Sequence, residues 1–250
     1  MDQNPSAFVF HFDATYKTNK CGYPLFVCGI SDVSRTFFPV AFFVSSQQTA
    51  PQYAMALTAL QKVFEAVVGK DLTLQHFMGD ADLAQYSAFG KHAQFLMCYF
   101  HVLQNVKKRM GTCPTASAAV HKYIYKMHFA RSFGDLQSIS AEAVMEWTRH
   151  PSLESFIPYF HSQWMASDMW RWQAYHTPPG MAVTNNPIES FNRIIKDSVT
   201  LRVRLSLGAL INCMRLHDCC RFDDQMLSVT HHDHVFRPVV VQSNLFEKAV

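Results

Sequence analysis

The feature that most constrains the fold is an apolar run near the N-terminus that ends in an acid. Residues 8–15 read Phe-Val-Phe-His-Phe-Asp-Ala-Thr, so that Phe8, Phe10 and Phe12 alternate with other side chains. A period of two residues predicts a β-strand, and a strand that is largely apolar on both faces should be central and buried. A carboxylate in such a strand is costly unless it is paired, hydrogen-bonded or bound to a metal. We therefore expect Asp13 to have partners elsewhere in the chain.

Two later acids stand where such partners would be. Asp80 follows a second apolar run, and Glu189 opens a predicted helix after the motif at residues 184–187. We interpret Asp13, Asp80 and Glu189 as one carboxylate triad that binds two Mg²⁺ or Mn²⁺ ions. Two ions about 3.5–4 Å apart activate the attacking oxygen and stabilise the leaving oxygen in phosphodiester chemistry, and such hard ions prefer oxygen ligands. The alternative is that each acid is an ordinary surface or capping carboxylate, since Asp80 and Asp82 could both cap the helix that follows.

The composition allows a large core and argues against a membrane-spanning protein. Of 250 residues, 49% are hydrophobic and 16% are charged, and no apolar stretch reaches the roughly 18–20 residues of a membrane span. The net charge of +3 permits nucleic-acid binding, but a basic surface would have to be local. Seven scattered cysteines, an odd number, follow an N-terminus without a signal sequence. We therefore expect reduced thiols in an intracellular protein.

The first 111 residues have the strand and helix pattern of an α/β sheet. Three strands come first, and the short links between them predict antiparallel neighbours. Pro39 lies inside the third strand and has no N–H to donate, so this strand is expected at an edge. A helix follows from Thr49, a candidate N-cap, to Gly69, and then a strand, a helix, a strand and a helix. This order predicts a mixed five-stranded sheet with flanking helices, with Asp80 at the carboxyl end of a strand, where open α/β sheets bind their ligands.

Strand patterning is absent from residues 112–182, which we interpret as an α-helical insertion. Helices are predicted over residues 116–133, 141–148 and 153–175, and three of the four tryptophans lie in the last of them. The chain then returns to the sheet with the helix that bears Glu189. The predicted parts are the first part of the core, 1–111; the insertion, 112–182; the second part of the core, 183–225; and a C-terminal tail, 226–250, with one apolar run over 235–241.

Five motifs together resemble the transposase domain of Mutator-like elements (MULE). They occur in the family's order and are the run from Phe12 to Asn19, Tyr23-Pro24-Leu25, Gly79-Asp80-Ala81-Asp82, the run from Cys98 to Val102 and the run from Thr184 to Asn192. The resemblance implies an RNase H-like fold that an α-helical insertion interrupts before the glutamate. It implies cut-and-paste DNA transposition in the nucleus by a homo-oligomer, with transposon ends and target DNA as partners. It also implies that Asp13, Asp80 and Glu189 are the metal-binding and catalytic Asp-Asp-Glu triad.

Further residues are candidates for the surroundings of the triad and for DNA contacts. Cys98 and His101 have a spacing seen in zinc sites, but two ligands do not make a structural zinc site, and a buried thiol beside a hydrogen-bonded histidine is the alternative. The tryptophans could stack on an unpaired base or form the core of the insertion, and the basic residues could contact phosphates or lie on a solvated face. The motif residues near the active site are Cys98, His101, Asn185, Asn186 and Asn192. The DNA-binding candidates are Lys107, Lys108, Arg109, Trp170, Trp172, Arg193, Lys196, Arg202 and Arg204.

One departure from the family bears on the expected function. Family members usually carry an N-terminal zinc-binding DNA-recognition domain, whereas only twelve residues precede Asp13 and no such Cys/His framework is present. We therefore expect a catalytic core alone: a fragment, a degraded copy or a domesticated derivative. The leading hypothesis is an enzyme, the catalytic domain of a DNA transposase. The alternatives are a domesticated DNA-binding or transcriptional regulator, an inactive fragment, and an RNase H-type nuclease, against which the motif at residues 184–192 and the insertion argue.

Overall fold

The strand that bears Asp13 lies inside a mixed β-sheet and has a neighbour on each side. The computed structural model describes residues 4–111, 116–215 and 239–242. The strands within these ranges are β1 (Val9–Thr15), β2 (Leu25–Ser31), β3 (Phe37–Val44), β4 (His76–Gly79), β5 (Gln94–Met97) and β6 (Val239–Gln242). Their order across the sheet is β5-β4-β1-β2-β3-β6. Strands β1, β2 and β3 form an antiparallel meander, whereas β4, β5 and β6 each run parallel to a neighbour.

This order confirms the predicted RNase H-like α/β fold, with β1–β5 as the mixed five-stranded sheet and β1 near its centre. Strand β6 extends the sheet beyond the prediction by pairing in parallel with residues 41–44 of β3. It overlaps the end of the apolar run recognised in the predicted tail. The rest of that tail, residues 226–238 and 243–250, lies outside the described ranges.

Pro39 lies in the half of β3 that β6 does not cover. The β2–β3 register shifts between Cys28 and Gly29, so that Gly29 pairs with Pro39 and the ladder is locally irregular there. A side chain at Gly29 would collide with the carbonyl oxygen of Phe38. The predicted edge position thus applies to the first half of β3 only, where a bulge and an uncovered side both tolerate a residue without an N–H.

The helices pack on both faces of the sheet. On one face, Phe10 and Phe12 pack against Tyr53 and Phe89. On the other face, Phe42 and its neighbours pack against a helix that contains Phe191. The helices are α1 (Ala50–Val68), α2 (Leu83–Phe89), α3 (Tyr99–Met110), α4 (Ser117–His128), α5 (Phe133–Trp147), α6 (Phe156–Phe160), α7 (Asn186–Ile194) and α8 (residues 207–215). As predicted, α1 begins after Thr49 and ends at Gly69, whose φ of 72° is left-handed.

The insertion is helical, but its helices have other limits than the sequence pattern predicts. The predicted helix 116–133 is wrong beyond His128, and α5 already begins at Phe133. The reason is a capping motif: Ser132 Oγ accepts the N–H of Asp135 at 3.2 Å, and Asp135 Oδ2 accepts the N–H of Arg131 at 2.9 Å.

The predicted helix 153–175 is also too long at its C-terminal end. Helix α6 continues as a π-helical turn, His161–Met165, and stops there. Ser167 Oγ accepts the N–H of Met169 at 3.1 Å, so a side chain takes over from helical hydrogen bonding at this point.

The insertion and the sheet share one hydrophobic core. Trp147, Trp164 and Trp172 are each 1% exposed and belong to the same cluster as Phe10 and Phe12 of β1. The division of the chain into core, insertion and tail stays a prediction. Among the described residues, no helix is both long and apolar enough to cross a membrane.

Candidate active site

Strand β1 turns two polar side chains away from the phenylalanines. The alternation that buries Phe10 and Phe12 on one face points His11 and Asp13 to the other face, which α7 covers. Helix α7 meets them with Asn185, its N-cap, and with Glu189 and Asn192, which the spacings of four and three residues put on one helix face.

Asp13 is held by two hydrogen bonds. Its Oδ1 accepts the N–H of Ala14 at 2.7 Å, and its Oδ2 accepts Nδ2 of Asn192 at 2.7 Å. Asn192, one of the predicted motif residues, therefore fixes the orientation of the first acid of the triad.

Asp80 follows directly after the neighbouring strand β4 and lies level with Asp13. His11 pairs with Met78 in the parallel β1–β4 ladder, so Asp13 and Asp80, each two residues further on, reach the same end of the sheet. Gly79 precedes Asp80 at a point where a side chain would collide with the rings of Phe77 and Phe95.

The structure decides between Asp80 and Asp82 as the cap of α2. Asp82 is the N-cap, because its Oδ1 accepts the N–H of Ala84 at 2.8 Å. The Oδ1 of Asp80 instead accepts Nδ2 of Asn185 at 3.1 Å and lies 2.9 Å from Nδ1 of His101. The carboxylate of Asp80 thus faces α7 and α3 and not the helix that follows it.

The three acids are close enough to repel one another. Burial raises the pKa of Asp13 to about 7, and the charges of Asp80 and Glu189 add to the rise, against the lowering effect of the hydrogen bonds from Ala14 and Asn192. Burial also raises the pKa of Glu189, as does Asp80, while His101 and Arg193 oppose the rise. The structure therefore brings together the three acids that the sequence predicted as a triad; their role in catalysis stays a prediction.

Cys98 and His101 lie beside the same acids. Cys98 is fully buried at the start of α3, and its Sγ accepts the N–H of Asn185 at 3.2 Å. Burial lowers the pKa of His101, but its contacts with the Asp80 carboxylate and the Cys98 thiol outweigh this effect and raise that pKa to about 10. One ligand atom from each of Asp80, Cys98, His101 and Glu189 lies within 4.8 Å of the others. The site thus offers sulfur and nitrogen next to two carboxylates.

The sequence reasoning missed a histidine and a serine that support this site. His11 Nδ1 is 2.8 Å from Oδ1 of Asn185, and His11 Nε2 is 2.7 Å from Oγ of Ser31. Since Asn185 donates its Nδ2 to Asp80, its oxygen accepts the His11 Nδ1 proton, and Ser31 donates to Nε2. Burial lowers the pKa of His11 to about 4, so the ring is neutral. The available signal was a histidine on the same face of a buried strand as Asp13.

Asn186 does not contact the carboxylates but lies on another flank of α7. It is exposed and lines a cavity of about 480 Å³ between α7 and the first half of β3. The other principal lining residues are Arg35, Phe37, Pro39, Ser190 and Ile194. The cavity combines an aromatic ring with hydroxyl, amide and guanidinium groups, on a flank of the helix that bears Glu189.

The basic candidates for DNA contacts lie on the surface, although some have protein partners. Arg109 lies over the ring of Tyr159, 5.1 Å from its centre, and Arg202 forms a 2.8 Å ion pair with Asp197. Lys196 is half-buried, and the other six are exposed: Lys107, Lys108, Arg109, Arg193, Arg202 and Arg204.

The two tryptophan candidates differ in their surroundings. Trp172 is 1% exposed and donates Nε1 to the carbonyl oxygen of Trp164 at 2.8 Å, so it belongs to the core and a base cannot reach its ring in this structure. The prediction that Trp172 binds DNA is therefore corrected. Trp170 is half-buried, with the ring of His176 perpendicular to it and Arg171 over its face, and its predicted DNA contact stays a prediction.

Fold and site together define a class: an RNase H-like α/β protein with three facing acids on β1, after β4 and on α7. Residues 9–105 match the family model described as MULE transposase domain. The match confirms the predicted resemblance for this segment, which contains Asp13, Asp80, Cys98 and His101, and it supports a transposase-related function. Glu189 lies outside the matched residues. No curated protein matches the chain.

Proposed function

We propose that the chain is the catalytic part of a DNA transposase that cleaves and joins DNA strands with divalent metal ions. The observation that carries the proposal is the convergence of Asp13, Asp80 and Glu189 from three separate elements. The charges of Asp80 and Glu189 both raise the pKa of Asp13, and a bound cation relieves such repulsion between like charges. The transposase match over residues 9–105 supports the same reaction class.

The donor set fits divalent ions. Asp13, Asp80 and Glu189 would hold Mg²⁺ or Mn²⁺, because hard ions take carboxylate oxygens and keep waters beside only a few of them. When bound, two such ions activate the attacking oxygen and stabilise the leaving one. The protein's own contribution is orientation: Asn192 holds Asp13, and Asn185 holds Asp80 with support from His11.

A DNA strand would run from the carboxylates across α7 to the cavity. Successive residues of a helix are about 100° apart, so Arg193 projects between Glu189 on one side and Asn186 and Ser190 on the other. Arg193 is exposed and close enough to lower the pKa of Glu189. Phosphates would contact this guanidinium, and an unpaired base would enter the cavity over Phe37. The active form would be a nuclear homo-oligomer that holds transposon ends and target DNA.

The test is metal-dependent cleavage and strand transfer on DNA by the purified protein. Asp13→Asn, Asp80→Asn and Glu189→Gln should each abolish both reactions in Mg²⁺ and Mn²⁺ while the protein still binds DNA. Asp82→Asn is the matched control, because Asn caps a helix as well as Asp does. Full activity in any of the three variants removes that residue from the site.

A DNA-binding protein without cleavage activity is the second candidate. The observation that favours it is that Asp80 already contacts both Asn185 and His101. Retained DNA binding by the wild-type protein, with no cleavage in either metal, would support this alternative against the transposase proposal.

A further inference from the structure

The cluster of Asp80, Cys98, His101 and Glu189 has a donor set that the catalytic proposal does not explain. The four ligand atoms lie within 4.8 Å of one another, and they come from the end of β4, the start of α3 and the first turn of α7. Cys98 and His101 are three residues apart at the start of a helix, which puts both side chains on one side of it. The sequence supplies two ligands of a zinc-type set, and the tertiary structure supplies the other two.

Sulfur and nitrogen donors do not suit Mg²⁺, which takes oxygen ligands in near-octahedral geometry. Thiolate, imidazole and carboxylate in a four-ligand set match Zn²⁺, which is tetrahedral in sites where all ligands come from the protein. Asn185 orients two of the four groups at once: its backbone N–H donates to Cys98 Sγ at 3.2 Å, and its Nδ2 donates to Asp80 at 3.1 Å. Such outer contacts fix ligand orientation in metal sites.

We propose that Asp80, Cys98, His101 and Glu189 bind one Zn²⁺ ion, and that this ion inhibits the protein. A four-coordinate ion with four protein ligands has no open position for water or for a phosphate. Its binding also withdraws Asp80 and Glu189 from the catalytic set. The inhibitory part rests on the proposed function, whereas the binding part does not.

Cobalt spectroscopy tests the binding part, because Co²⁺ in a tetrahedral site with a thiolate ligand has strong visible bands and a sulfur-to-metal charge-transfer band. Titration of the metal-free protein with Co²⁺ should produce both features and saturate at one equivalent. Zn²⁺ should remove them by displacement, whereas millimolar Mg²⁺ should not.

Two variants test the cysteine and histidine ligands, and a third is their control. Cys98→Ser should remove the charge-transfer band, and His101→Asn should weaken Co²⁺ binding at least about tenfold, since even loss of an outer partner costs about 10–100-fold in metal affinity. Cys21→Ser is the matched control, because Cys21 is an exposed free thiol and is not one of the four ligands, and it should leave the spectrum unchanged. A weak octahedral spectrum, or a charge-transfer band that survives in folded Cys98→Ser, overturns the site. If Cys98→Ser does not fold, the His101→Asn titration decides.

A fourth variant separates this proposal from the proposed function. Asp13 is not one of the four ligands, so Asp13→Asn should lose DNA cleavage yet retain the Co²⁺ spectrum. In the wild-type protein, stoichiometric Zn²⁺ should inhibit Mg²⁺-dependent cleavage. Inhibition by Zn²⁺ without the tetrahedral Co²⁺ spectrum would refute the zinc site and leave the transposase proposal intact. The tetrahedral spectrum in a protein that does not cleave DNA would support the zinc site and refute the transposase proposal.

Discussion

Replacement of Asp13 by Asn should stabilise the metal-free protein while it removes a ligand that we assign to catalysis. The folded protein raises the pKa of Asp13 from 3.8 to about 7, chiefly by burial and by repulsion from Asp80. A carboxyl group with a raised pKa holds its proton more tightly in the folded state than in the unfolded state. The group therefore lowers stability increasingly between pH 3.8 and about 7, and by a constant amount above that.

The size of the effect follows from the shift. Three pKa units at about 1.4 kcal/mol each give a penalty on the order of 4 kcal/mol at pH 8. Asn at this position keeps the hydrogen bond from Ala14 to its Oδ1. The new Nδ2 group of the Asp13→Asn variant would face Nδ2 of Asn192, so two donors would meet. The Oδ1 of Asn192 accepts no hydrogen bond from any described residue, and a rotation of the Asn192 amide by about 180° would bring this oxygen to the new donor. Allowing for that rearrangement, we expect a gain of about 2–4 kcal/mol at pH 8.

The assay is urea or thermal unfolding of both proteins in a chelator at pH 8 and pH 5.5. At pH 5.5 the gain should fall to about half, because the penalty grows by about 1.4 kcal/mol per pH unit below 7. A gain of 2 kcal/mol raises the melting temperature by about 4–8 °C in a domain of this size. Addition of Mg²⁺ should then stabilise the wild-type protein more than the variant. Asp82→Asn, the control, should change stability little at either pH. A variant less stable than wild type at pH 8, or a gain equal at both pH values, would refute the electrostatic reasoning.

Three further predictions concern the core, the DNA surface and the support of Asp80. Trp172→Ala should lower the free energy of unfolding by about 3–5 kcal/mol, measured by urea unfolding, because the ring is fully buried. Trp170→Ala should lower the free energy of unfolding by less. If the Trp170 ring stacks on a base, Trp170→Ala should also weaken DNA binding, measured in a DNA-binding titration. Arg193→Gln and Arg204→Gln should each flatten the salt dependence of DNA affinity by about one unit of slope, measured over a series of salt concentrations, if these exposed groups contact phosphates. His11→Phe should lower the cleavage rate about 10–100-fold by removing the donor to Asn185, with no loss of metal dependence, measured as single-turnover kinetics.

Two results would contradict these predictions. A salt slope unchanged in both arginine variants would exclude them as phosphate contacts. An unaltered rate in folded His11→Phe would show that Asn185 orients Asp80 without help from the histidine.

Local rules account for the elements that the sequence determined. The alternation of Phe8, Phe10 and Phe12 was enough for a central β1, because a strand that is apolar on both faces has to be covered on both. The limits of α1 were predicted at Thr49, which is the N-cap by position although its side chain makes no capping hydrogen bond, and at Gly69, which adopts the left-handed conformation at the helix end without strain. These interactions act between residues close in sequence, so sequence reasoning reaches them.

One local signal was missed, and tertiary contacts decided the rest of the fold. The Ser132–Asp135 cap at the start of α5 is a local signal in the sequence. The helix prediction relied on the spacing of apolar residues instead and therefore missed this cap. The pairing of β6 with β3 depends on a strand about two hundred residues away along the chain. The burial of Trp172 depends on its packing against Tyr99 of α3, His128 of α4 and Phe160 of α6.

The site, like the fold, has some features that the sequence determined and others that only the tertiary structure decided. The sequence determined which acids are available, because a carboxylate in a buried strand has to have partners. It did not determine whether Asp80 or Asp82 caps α2, since both offer the same oxygen near the same helix, and only the packed structure assigns the cap to Asp82. Nor did it determine that Cys98 and His101 meet Asp80 and Glu189, because the spacing of two ligands says nothing of where distant strands and helices bring the others. Residues close in sequence determine the local conformation. The site, in contrast, combines residues from β1, β4, α3 and α7, so it exists only once the sheet and these helices have packed together.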